Sequence, residues 1–143
     1  MNHTELLLDL LIKRGYDTPE LQDRFLHPNY DLHTYDPFLL SDMQKGIERI
    51  CTAMMNDEKI CVYHDYDADG IPGAVVMRDF FKKIGYTNYK IYIPDRHDEG
   101  YGLHTDAIHE FIADGVNLLI TFDLGITAVA ETALAQGAGI DVI

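Results

Sequence analysis

The chain of 143 residues carries 24 Asp and Glu against 11 Lys and Arg, a formal net charge of −13. With 47% hydrophobic and 24% charged residues it has material for one folded core, which excludes a disordered chain or a coiled coil. Such acidity disfavours a broad nucleic-acid surface or an anionic membrane surface, and no apolar run approaches the ~18 residues that cross a bilayer.

Met1-Asn2-His3-Thr4-Glu5 has no basic stretch leading into an apolar one, so no secretory signal is visible and a cytoplasmic chain is expected. Cys51 and Cys61 form no CxxC pattern and are expected to be reduced core thiols. Leu6, Leu7, Leu10 and Leu11 form a helical apolar stripe, with Gly15 as its stop. Thr18-Pro19-Glu20 supplies an N-cap and a first-position proline for a helix to about Leu26. His27–Leu40 is expected to be irregular. Ser41 is the expected cap of a longer helix with Met43, Ile47, Ile50, Cys51 and Met54 on one side.

From Lys59 the rhythm changes. Lys59–His64, Tyr89–Ile93, Asn117–Phe122 and Ile140–Ile143 are expected strands. Between them lie helical segments from Gly70 to Lys83, Thr105–Ala113 (Ile108, Phe111 and Ile112 inward) and Thr127–Ala135. This alternation predicts an α/β fold: a parallel sheet with crossover helices, preceded by a short helical N-terminal region. The division falls at 1–57 and 58–143. The fourth strand stops at the chain end without its following loop, so the second domain is expected to be incomplete at its C-terminal side.

Asp65-Tyr66-Asp67-Ala68-Asp69-Gly70 sets three carboxylates within five residues between a strand and a helix. Their repulsion calls for a cation or for hydrogen-bond donors, and hard divalent cations take oxygen ligands. A solvated acidic loop at a helix N-terminus is the plainer alternative. An EF-hand is excluded, because its twelfth position would be Val76 rather than Glu. A haloacid-dehalogenase-like phosphatase, with Asp67 as nucleophile and Asp69 two residues on, stays open. Asp123 stands at the tip of the third predicted strand before a turn at Gly125, so it joins the triplet at the carboxyl edge of one sheet. Between them runs Pro94-Asp95-Arg96-His97-Asp98-Glu99-Gly100-Tyr101-Gly102. Gly100 and Gly102 permit a close approach to a ligand. Arg96 has a fork suited to phosphate, or pairs with Asp95, Asp98 or Glu99.

Val62–Gly70, Ile93–Arg96 with Glu99–Leu103, and Thr121–Thr127 resemble successive motifs of the DHH phosphoesterase superfamily, in its branch of single-strand-specific 5′→3′ DNA exonucleases. Arg14-Gly15, Phe25-Leu26, Asp36–Leu40 and Asp42-Met43 extend that resemblance over nearly the whole chain. His64 and Leu124 depart from it, standing where glycine and a smaller or polar residue are usual. The resemblance implies that Asp67 and Asp69 ligate a divalent pair of Mn2+ or Mg2+, that Asp123 bridges or binds it, and that Asp65 is a further ligand or an acid standing behind the ligands. It also implies a single-stranded DNA substrate and metal-dependent phosphodiester hydrolysis in DNA repair and recombination, while Arg96, Gly100 and Gly102 are candidate phosphate contacts by their own chemistry. An Asp-His-His motif would be expected just past Ile143, so this chain alone is expected to be inactive or nearly so, with an incomplete two-metal site. Other members of the superfamily, an oligoribonuclease or a cyclic-dinucleotide phosphodiesterase, and a non-catalytic binding module are the alternatives.

Overall fold

A computed structural model describes residues 2–143, which separate into two compact units divided between Met43 and Gln44.

The first unit is helical. Helix α1 (His3–Lys13) opens on a reciprocal cap: the Glu5 amide donates to Asn2 Oδ1 and the Asn2 amide to Glu5 Oε2, both at 2.9 Å. Helix α2 (Pro19–Leu26) opens as expected, with Thr18 Oγ1 accepting from the Leu21 amide. A short α3 (Tyr30–His33) and a single 3-10 turn (Pro37–Leu39) occupy the stretch expected to be irregular. Of the predicted leucine stripe only Leu11 is buried; Leu6, Leu7 and Leu10 face outward. Helix α4 (Met43–Met55) starts two residues after Ser41, because Asp42 takes a left-handed φ of 61°.

The second unit is a three-layer α/β sandwich. Its strands are β1 (Ile60–His64), β2 (Tyr89–Tyr92), β3 (Leu118–Phe122) and β4 (Asp141–Val142), all parallel, in the order β2-β1-β3-β4. Helix α5 (Gly70–Ile84) joins β1 to β2, α6 (Thr105–Ala113) joins β2 to β3, and α7 (Val129–Gly137) joins β3 to β4. Strand β1 is central and buried along its whole length, which explains its unbroken apolar run. Its alternate residues feed two cores. Ile60 and Val62 pack with Ala53, Ala74, Phe81, Leu118 and Ile120 on the α4 and α5 side. Cys61 and Tyr63 pack with Ile108, Phe111, Leu119, Ala135 and Ile140 on the α6 and α7 side.

Three further expectations need correction. Cys51 is exposed on α4, and only Cys61 is a core thiol. Ile112 lies outside the core, because Ile108 and Phe111 already fill the narrow buried stripe of α6. Helix α7 begins at Val129 rather than Thr127, since the Gly125–Ala128 turn holds the chain back through Ala128 N to Gly125 O at 3.0 Å.

The order of strands fixes where a ligand belongs. From β1 the chain moves to β2 on one side, then returns across β1 to β3 on the other. The reversal leaves a crevice at the carboxyl ends of β1 and β3, the place where open parallel sheets bind ligands.

Candidate metal centre at the sheet edge

The β1–β3 register pairs His64 with Phe122, and the Asp65 amide donates to the Phe122 carbonyl at 3.3 Å. The next residue on each strand is therefore an aspartate, Asp65 beside Asp123. Asp65 is only 3% exposed, and its Oδ1 is buried without a hydrogen-bond partner. A buried carboxylate oxygen without a donor is costly, so the site is short of a cation or a proton. Gly70 lets α5 start against this strand end. A Cβ there would lie 2.6 Å from the Asp65 carbonyl oxygen and 2.8 Å from its nitrogen.

Asp67 stands three residues before α5, and its Oδ1 accepts from the amides of Asp69 (2.9 Å) and Gly70 (3.2 Å). Those two backbone donors hold its carboxyl below the usual range. Asp123 is pushed the other way, by lost solvation and then by the charges of Asp67, Asp69 and Asp65. Carboxylate oxygens of Asp65, Asp67 and Asp123 lie within 4.8 Å of one another. One buried and two exposed carboxylates that converge this closely form a hard oxygen cradle, and the donor set fits a divalent cation of the manganese or magnesium type.

Asp69 stands next to this trio as the N-terminal flanking residue of α5 but outside it, and its side chain makes no capping bond. His64 is 5% exposed, and its Nδ1 lies 2.6 Å from the Asp65 carbonyl oxygen, so it shapes the turn and lies outside the trio. Arg96 makes none of the contacts weighed for it with Asp95, Asp98 or Glu99 among the described ion pairs. Its guanidinium lies over the ring of Tyr66, 5.3 Å from the centroid, between Asp65 and Asp67 in sequence. Gly100 and Gly102 take φ of 82° and 110°, as a turn that needs glycine requires. The spacing of the motifs did not disclose Tyr101, whose hydroxyl donates to the Asp123 carbonyl at 3.1 Å. The only signal for it was its place between those two glycines.

An α/β sheet with acidic clusters at the switch point defines a class, and the family comparison gives its name. Residues 59–143 match the DHH family, N-terminal domain, and the chain belongs to that family. This membership replaces the dehalogenase-like alternative. Among curated relatives, the chain is 43% identical over 140 residues to the single-stranded-DNA-specific exonuclease RecJ of Bacillus subtilis, and 32% identical over 104 residues to that of Escherichia coli. Those matches cover 98% and 73% of this chain but 18% of each relative, so the chain spans about a fifth of their length. A crystal structure of exonuclease RecJ bound to manganese superposes with a TM-score of 0.66 at 29% identity, over 72% of this chain and 26% of that one. RecJ from Thermus thermophilus in complex with Mn2+ shares the fold, with a TM-score of 0.64.

Proposed function

We propose that this chain is the N-terminal part of a metal-dependent 5′→3′ exonuclease of single-stranded DNA, acting in DNA repair and recombination in the cytoplasm. Its helical segment 1–57 precedes the incomplete phosphoesterase domain 58–143. The observation that carries this reading is the convergence of Asp65, Asp67 and Asp123 at the carboxyl ends of adjacent parallel strands.

Asp65, Asp67 and Asp123 would hold Mn2+ or Mg2+, with Asp69 beside them as the acid available to a second cation. Bound there, divalent cations supply a nucleophile from water at neutral pH and offset charge on the phosphodiester. The chain's own residues do the rest. Asp67 stays ionised because the Asp69 and Gly70 amides favour the carboxylate. Arg96, braced on Tyr66, offers a planar fork to a phosphate oxygen, and the turns at Gly100 and Gly102 let backbone come close to the strand. The acidity of the whole chain is compatible with this, since the phosphate is met by cations and one arginine rather than by a basic surface.

The test is manganese-dependent release of nucleotides from single-stranded DNA by the whole protein that carries this segment. Degradation of single strands, loss of it in Asp67→Ala, and no activity from the 143-residue chain alone are expected. Equal activity in Asp67→Ala, or a fully active 143-residue chain, would contradict the proposal.

A further inference from the structure

We propose that Tyr101 is a positioning residue for the cation site: its phenol latches the left-handed turn that carries Asp123. The inference rests on the metal-binding reading of Asp65, Asp67 and Asp123.

Asp123 leaves β3 with φ 60°, a region that residues other than glycine resist, though Asp and Asn tolerate it best. Its carboxylate converges with those of Asp65 and Asp67, their oxygens within 4.8 Å of one another. Strain and repulsion both favour moving Asp123 out of the cluster. One side-chain bond to its backbone opposes this, from Tyr101 Oη to the Asp123 carbonyl at 3.1 Å. Tyr101 is 64% exposed, so little packing holds it in place. Its aim comes from the backbone on either side. Gly100 and Gly102 take positive φ with nothing within 4 Å of an added Cβ, so their conformation, and not crowding, is what glycine serves there.

The loop that carries Tyr101 is itself fixed by two further phenols. Tyr63, fully buried in β1, donates to the Gly102 carbonyl at 2.8 Å. Tyr92, stacked on Tyr63 with centroids 5.1 Å apart, donates to Glu99 Oε1 at 2.6 Å, and Glu99 Oε2 accepts from the Asp95 amide at 2.7 Å. The rigid sheet thus fixes the loop, and Tyr101 passes that fixed position to the end of β3. Such support behind a ligand sets its affinity for metal.

The experiment titrates Mn2+ alone onto the chain by calorimetry, in wild type, Tyr101→Phe, Tyr63→Phe and Tyr86→Phe. Amide hydrogen exchange at Leu124 and Gly125 is measured without metal. Tyr101→Phe is expected to weaken Mn2+ about fivefold, the worth of one hydrogen bond, and to speed exchange at both amides. Tyr63→Phe is expected to act in the same direction. Tyr86 donates to the Glu58 carbonyl at the opposite edge of the sheet, so Tyr86→Phe lowers the melting temperature and leaves Mn2+ affinity unchanged. Wild-type affinity in Tyr101→Phe, or unchanged exchange at Leu124 and Gly125, overturns the latch even where Mn2+ binds normally. Failure of wild type to bind Mn2+ overturns the metal reading and the inference together.

Discussion

The Asp65 amide donates to the Phe122 carbonyl at 3.3 Å, and that one bond carries the β1–β3 ladder to the residue before Asp123. Two acids 58 positions apart become neighbours because adjacent parallel strands end in register. The crevice where the sheet reverses direction thereby acquires its charge.

Gly70 is the contact that allows this. Gly70→Ala is expected to destabilise the fold by about 2–3 kcal/mol, since its methyl would meet the backbone of Asp65, which cannot swing aside as a flexible side chain can. Urea denaturation measures the loss, and Mn2+ affinity should fall with it because Asp65 must shift. A Gly70→Ala protein with wild-type stability would mean that α5 does not start against β1 as described.

At the opposite edge, Arg49 ties α4 to the sheet. Its Nε meets Asp141 at 2.5 Å, and its Nη2 meets Glu58 at 2.6 Å and the Asn117 carbonyl at 3.4 Å. Arg49→Met keeps the stem but leaves the half-buried Glu58 carboxylate with only the long contact from Asn56 Nδ2 at 3.3 Å. The expected loss is about 1–3 kcal/mol by urea denaturation, with fraying of the short strand β4 seen as faster exchange of the Asp141 amide.

Most of the second unit was legible because its strands are short, apolar and separated by amphipathic helices. Thr105–Ala113 matches to the residue, and no strand end differs by more than one position. The convergence of Asp65, Asp67 and Asp123 could be anticipated only as two acidic loops on one sheet edge, because the strand order that joins them is a tertiary fact. Asp69 was read with its neighbours but lies outside the trio, since it flanks α5 where the chain has already turned into the helix. Arg96 on Tyr66 and Tyr101 on Asp123 were out of reach, as each links loops distant in sequence. The first unit was harder. Its leucines follow a helical period but mostly face outward, and periodicity alone does not say what a stripe packs against.

Acid should release one surface contact before the core gives way. Lys90 pairs with Asp114 and Glu110, both at 2.7 Å, and this holds the Asp114 carboxyl below its ordinary value of 3.8. A depressed carboxyl stabilises the fold above its unfolded value, and that contribution is lost as pH falls through the lower folded value. Lys90→Met should therefore lower the melting temperature slightly at pH 7. The difference from wild type should shrink below pH 3.8. A difference independent of pH would show that Lys90 acts by packing on Tyr92 and Phe111 instead.

The two thiols should report the fold by their reactivity. Burial pushes the Cys61 thiol up to about 12, whereas Cys51 is exposed on α4. With a thiol reagent at pH 8, one equivalent is expected to react in the native chain and the second only on unfolding. Rapid modification of both without denaturant would place β1 nearer the surface than it is here.

The central claim is that Asp65, Asp67 and Asp123 form one cation site. Calorimetric titration of Mn2+ onto the chain tests it most directly, with Asp65→Asn, Asp67→Asn, Asp123→Asn and the distant Asp9→Asn compared with wild type. Saturable binding by wild type and Asp9→Asn, with a loss of tenfold or more in each of the other three, is the predicted result. Equal affinity in wild type and Asp123→Asn would contradict it.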